Sequence, residues 1–164
     1  MTQALSSPLT LCALLLSAWA VIGFAGLIRP ASVAFAGRTL FPLGALCGAA
    51  LAYVAATSLT ARAEQMVLPI GLPDLPVHLR LDGLSSAFLF LLGAAATGIS
   101  IFAAGYFRRG EGTPPGLMCL QYHLFLASMG FVLLADDAYG FMLAWETMAL
   151  SSYFLLYGDR KSVV

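Results

Sequence analysis

Apolar residues run through this chain in long blocks, and charged residues fall almost wholly between them. Residues 1–28 carry no charge, and neither do 39–61, 83–107 and 112–135. Residues 138–158 carry one, Glu146. A helix needs roughly 20 apolar residues to cross about 30 Å of hydrocarbon, so the pattern predicts five membrane-spanning helices, at about 6–28, 39–61, 83–107, 116–135 and 138–158. Barrel strands would be shorter and strictly alternating. The expected fold class is all-α, a polytopic transmembrane helix bundle forming a single membrane domain over 1–164.

Composition agrees with the pattern. Of the 164 residues 60% are hydrophobic and only 10% charged, against about 25% charged in an ordinary soluble domain. Mean hydropathy is +0.90. Disorder needs the opposite balance, and a soluble chain this short cannot hide so much apolar area. Eight basic residues offset eight acidic ones, so no basic excess points to nucleic acid. The first block lacks the positive start and short apolar core of a cleaved leader, and it reads as a retained helix.

The loops predict an orientation. Arg29 and Arg38 fall in the first, Arg62 and Arg80 in the second, Arg108 and Arg109 in the third, and Arg160 and Lys161 in the tail. Loops one, three and the tail share a side and hold six basic residues against two on the other. The positive-inside rule then puts the N-terminus outside and the C-terminus in the cytoplasm. The second loop alternates apolar residues with Pro69, Pro73 and Pro76, which forbid a regular helix. It predicts a small extended hairpin over 66–80, turning at Gly71–Asp74, on the outer face. Asp82 follows and fits an N-cap, with Ser85 or Ser86 in the first turn; a functional role for it stands beside that reading.

Small residues cluster in the second span (Gly44, Ala45, Gly48, Ala49) and in the third (Gly93, Ala94, Ala95, Ala96, Gly98). Small residues three or four apart let helix backbones approach, so these helices are expected to pack against protein. Cys12, Cys47 and Cys119 are scattered through apolar runs with no metal-like spacing. Neither a cofactor, a metal nor a catalytic centre is expected in the chain.

Glu146 is the informative residue. Eight residues into its helix, it lies about 12 Å along the axis, too deep for a short carboxylate to reach water easily. A charge near the bilayer centre costs roughly 2.5–3.5 kcal/mol on insertion scales. Such groups face a bundle interior or a wet cavity and commonly relay protons or ions; a structural carboxylate bonded between helices is the alternative. Helical geometry puts Met142, Leu150 and Tyr153 on its side. Tyr153 fits an interfacial aromatic or one step of a proton path. In the fourth span His123 fits a buried, hydrogen-bonded histidine better than a titrating one. Lys161 is the chain's one lysine, so any opposite charge modulating Glu146 must come from another segment or subunit.

These residues carry a resemblance. From Leu81 to Val164 the stretches LRLDGLSSAFLFLL, GYFRRG, HLFLASMGFVLLADDAYGFMLAWETMALSSYFLL and GDRKSV resemble the antiporter-like membrane subunits of respiratory complex I and of the formate hydrogenlyase and hydrogenase-4 group. The Trp-Glu pair within a span after Ala-Asp-Asp is the most specific of these. The first 65 residues are similar only as two apolar helices. The resemblance implies a subunit of fourteen or more helices in the plasma membrane of a bacterium, with two inverted five-helix repeats after the first three helices. It implies that Glu146 is the fifth-helix glutamate that moves protons or sodium, paired with a lysine on a seventh helix beyond this sequence. It also implies that Asp82 is the acidic position ahead of the third helix; His123 and Tyr153, by their own placement, are candidate supporting polar groups. Redox chemistry belongs in this family to partner subunits. The chain is thus expected to be the front of a longer subunit, partnered by other membrane subunits, the lipid bilayer and, indirectly, peripheral redox subunits. Two functions follow: an ion-translocating subunit of an energy-converting oxidoreductase, or a structural subunit or inactive remnant.

Overall fold

The computed structural model describes residues 7–72, 75–106 and 113–160, excepting the side chains of residues 72, 75 and 158–160. Arg108, Arg109, Lys161 and the turn residues Pro73 and Asp74, all used in reading the loops, lie outside the described residues. Five helices and one hairpin follow in chain order. Helix α1 spans Pro8–Ala25 and tightens into a 3₁₀ turn over Gly26–Ile28. Helix α2 runs over Val33–Ser58. The hairpin pairs β1 (Glu64–Leu72) with β2 (Leu75–Leu81). Helices α3 (Gly83–Tyr106), α4 (Pro115–Leu134) and α5 (Ala138–Arg160) complete the chain.

Local chemistry sets these boundaries. Ser7 caps α1 by accepting a hydrogen bond from the Thr10 amide at 3.2 Å, and Pro8 sits in the first turn, where its missing N–H costs nothing. Helix α2 begins six residues ahead of the expected start at 39. Ser32 caps it, accepting from the Phe35 amide at 3.2 Å, and Arg38 is carried inside the helix on its exposed face. A charge-based boundary at Arg38 misses this, because a helix can pass through an exposed arginine. Pro42 gives no N–H to the carbonyl four residues back, and the helix absorbs the defect as a wider π-type turn over Ala36–Leu40.

The hairpin is antiparallel, with Glu64 opposite Leu81, Met66 opposite Leu79 and Leu68 opposite Val77. Pairing slips between Leu68 and Gly71, beside Pro69, which lacks a ladder donor. Gly71 adopts φ 131°, in the left-handed region that favours glycine. The alternation expected from sequence is present: Val77, Leu79 and Leu81 are buried, while His78 and Arg80 between them are exposed. The buried face closes one end of the bundle, where α1, α3 and α5 begin and α2 and α4 end.

Helix α4 packs on α1 and α5, α1 on α2, and α2 on α3. Leu9, Cys12, Leu16 and Trp19 from α1, Leu51 and Ala55 from α2, Leu89 and Ala96 from α3, and Leu126 and Leu134 from α4 form the core. Glycines set the tightest crossings. A Cβ at Gly93 would fall 2.7 Å from both the Ala52 nitrogen and the Gly48 oxygen, so α2 and α3 meet backbone to backbone. At the far end, Gly26 and Gly116 play the same part between α1 and α4. Gly98, grouped with the packing residues from sequence, instead faces open space, as does Gly105.

Helices α1 to α4 are each long and apolar enough to cross a membrane. Their outer faces are as apolar as the inner ones, with Leu14, Val21, Leu46, Leu91 and Phe102 exposed, the pattern of helices surrounded by lipid or by further protein. Among the described helices α5 has the length to span but a more polar composition, from the Trp145-Glu146-Thr147 and Ser151-Ser152 steps. The molecule is mostly helical, and its apolar helices mark it as a membrane protein.

Candidate functional site

Glu146 sits mid-helix in α5. The face of α5 that meets the bundle is lined by Gly140, Ala144, Thr147, Met148, Ser151 and Leu155. Successive residues turn by about 100°, which places Glu146 nearly opposite that face. Its side chain is exposed, in company with Met142, Leu150 and Tyr153, all exposed as well. The same-side grouping expected from helical spacing is therefore present. The interior of these five helices is not what the carboxylate faces, however; it points to whatever packs outside them. Tyr153 stacks on Tyr157, with ring centroids 6.1 Å apart.

Thr147 shows how sharply the two faces differ. It lines an apolar groove of about 510 Å³ between α1, α4 and α5 under the hairpin, together with Ala13, Ser17, Leu68, Ser128 and Leu143. The hydroxyls there are already used. Ser17, Ser128 and Thr147 donate to the carbonyls of Ala13, Leu124 and Leu143, each at 2.8 Å. The rest of the groove lining is almost wholly apolar.

His123 is fully buried in α4, against α1 and α2. Its Nδ1 bonds the Cys119 carbonyl at 2.9 Å, and its ring lies 5.5 Å from that of Phe41. Its Nε2 abuts Gly44, where any Cβ would overlap it, and has no hydrogen-bond partner among the described residues. Trp19 reaches the same place, donating its indole N–H to the Gly44 carbonyl at 3.0 Å. Tyr122 beside it shares a hydrogen bond with Ser100 at 3.1 Å. His123 thus locks three helices together, and the structure does not bring it to the Glu146 face.

Asp82 caps α3. Its Oδ1 accepts from the Ser85 amide at 2.9 Å, and Arg80 lies 3.6 Å from its Oδ2. The Ser85 amide above all, with Arg80 adding to it, holds this carboxyl below the usual aspartate range. Asp82 therefore has a structural part at the hairpin end.

One functional-looking residue was overlooked in the sequence, where Asp136–Asp137 reads only as a tight loop. Asp137 accepts from the Gly140 amide at 2.6 Å and from the His78 amide at 2.7 Å, so it bonds α5 and β2 at once. These donors, Gly140 first, hold its carboxyl below the usual range. The cap was legible as an aspartate immediately before a helix; the bond to His78 had no signal, since 59 residues separate the two. Asp136 beside it accepts from Gln65 at 3.1 Å and lies 4.0 Å from Arg80. Among the described residues no cluster of His, Cys, Asp and Glu could hold a metal.

No protein-family model matches the chain. Individual proteins do. Hydrogenase-4 component B of Escherichia coli is 32% identical over 87 residues, 52% of this chain and 13% of that protein. NADH-quinone oxidoreductase subunit L of Buchnera aphidicola (subspecies Acyrthosiphon pisum) is 37% identical over 76 residues, 46% of this chain and 12% of its own length. An uncharacterized protein of Mycobacterium tuberculosis is 37% identical over 90 residues, 54% of this chain and 14% of that protein. The matched stretches thus span only about an eighth of each relative. Partial as they are, these similarities over about half the chain support the antiporter-like membrane subunit family.

Proposed function

We propose that this chain is a proton- or sodium-translocating membrane subunit of an energy-converting oxidoreductase, of the NADH-quinone oxidoreductase or the formate hydrogenlyase and hydrogenase-4 type, with Glu146 as the ion-handling carboxylate. The observation that carries the reading is the place of Glu146: a lone carboxylate in the middle of a 23-residue helix, on the side turned away from its own bundle. Held in hydrocarbon it would cost roughly 2.5–3.5 kcal/mol, a cost an ion-relay role accounts for. The relatives' names, a hydrogenase component and a quinone oxidoreductase subunit, support the general kind of function.

On this reading α5 is the fifth span, the N-terminus and the hairpin lie outside, and the C-terminus is cytoplasmic in a bacterial plasma membrane. The exposed α5 face meets further membrane helices, which supply the lysine that the spans of this chain lack. Peripheral redox subunits carry the electrons. Tyr153, seven residues on and about 10 Å further along the same face, extends a polar path from Glu146. Asp82 and His123 support the site only through the packing they secure.

Glu146→Gln in an assembled complex tests the proposal: ion-gradient formation is lost while the complex still assembles. A second reading, a structural or inactive subunit, draws on the aromatic and aliphatic residues beside Glu146, Trp145 and Leu150 among them, which suit a helix interface. It predicts that the same variant disturbs assembly or changes nothing.

A further inference from the structure

Helix α5 leans on α4 along one side and meets β2 near its start. Its outer face touches nothing in the described bundle. The hydrogen bonds that join the start of α5 to the hairpin converge on the corner Ala135–Asp137. Ala135 forms an isolated bridge with Leu79 on the edge of β2. The Asp136 amide donates to the His78 carbonyl at 2.9 Å. The Asp137 carboxylate is then divided, Oδ1 taking the Gly140 N–H of α5 and Oδ2 the His78 N–H of β2. One rigid planar group thereby ties the first turn of the helix to the hairpin. The hairpin in turn is fixed to α1, where the Leu9 amide donates to Glu64 at 3.1 Å.

We infer that Asp137 is a positioning residue that sets the depth of Glu146 in the membrane. Gly140 and Glu146 are six residues apart, about 9 Å of helix rise, with no proline or glycine between them to absorb a shift. Fixing one fixes the other. The geometry also explains why aspartate is the residue that fits. Asparagine offers one acceptor oxygen for two amide donors, glutamate moves both oxygens outward by a methylene, and alanine leaves both donors open. Asp136 has no such part: its side chain is exposed and makes one hydrogen bond to Gln65 and a 4.0 Å ion pair. The functional consequence rests on the proposed role of Glu146; the positional claim stands on the hydrogen bonds.

The test uses the full chain in phosphatidylcholine vesicles, with Cys12, Cys47 and Cys119 replaced by alanine and Glu146→Cys carrying a nitroxide. Relative accessibility to oxygen and to a water-soluble nickel chelate reports the depth of the label. Asp137→Ala is expected to shift that depth by at least one residue's rise, about 1.5 Å, or to split it into two values, with helicity by circular dichroism unchanged. Asp137→Asn is expected to give a smaller shift in the same direction, and Asp136→Ala none. Equal depth in Asp137→Ala and its parent overturns the inference, as does an equally large shift from Asp136→Ala. Should Asp137→Ala not fold, Asp137→Asn decides: an unmoved label overturns the claim. Ion flux in the assembled complex is measured separately. If Glu146→Gln leaves flux intact, the ion-handling role falls while the label's depth still judges Asp137.

Discussion

Helices α1 to α4 and helix α5 are held in different ways. The four-helix part is built on close crossings. Glycine lets α2 touch α3 and α1 touch α4, and the buried Trp19, bonded to the Gly44 carbonyl, pins α1 to α2. Helix α5 has one packed side and one open side, and its open side carries the only mid-helix carboxylate among the described residues. The difference teaches that the packed part is a scaffold held by its own close contacts, whereas α5 turns its carboxylate to what lies outside.

That contrast can be broken in graded ways. The largest effect is expected from Gly93→Val, whose Cβ meets two backbone atoms of α2; more than about 3 kcal/mol should be lost, read as a collapse of folded protein in detergent. Gly98→Val on the same helix meets open space and should leave the yield unchanged. Next, Trp19→Ala removes a fully buried ring and its hydrogen bond, for about 3–5 kcal/mol by denaturant titration. Asp137→Ala removes a cap worth about 1 kcal/mol, visible as a lower Tm. That gap carries a pH signature. Donors hold the folded carboxyl below its ordinary value of 3.8, so the stabilisation is complete above 3.8. It disappears as pH falls through the lower folded value, and the parent and Asp137→Ala should then melt together. The smallest effect belongs to Glu146→Gln, within about 0.5 kcal/mol for this chain alone, because nothing in the described bundle depends on that carboxylate. A large loss of stability there would erase the distinction between scaffold and active helix.

Much of this was legible in the sequence, for physical reasons. Charge-free blocks of spanning length mark helices because charges are expelled from apolar runs. The hairpin showed through prolines and alternation, and Asp82 announced a cap by standing ahead of an apolar run. The start of α2 was hidden because Arg38, taken as a loop marker, rides an exposed helical face. Gly98 misled because composition does not say which side of a helix a glycine is on. Asp137 was half visible: its cap is local, but its bond to His78 is a long-range fact. The direction of Glu146 away from its neighbours was equally hidden, since periodicity groups residues by face without saying what each face meets.

The hydrogen-bonded start of α5 has a mechanical result. A 23-residue helix is about 35 Å long. Its first turn is stitched to the hairpin and one side is packed on α4, so a tilt toward its open side pivots near the stitched end. A tilt of about 10° moves its far end by about 6 Å but Glu146, about 12 Å from the fulcrum, by only about 2 Å. A push delivered at the far end by a neighbouring helix is therefore geared down threefold at the carboxylate, a travel comparable to making or breaking one hydrogen bond.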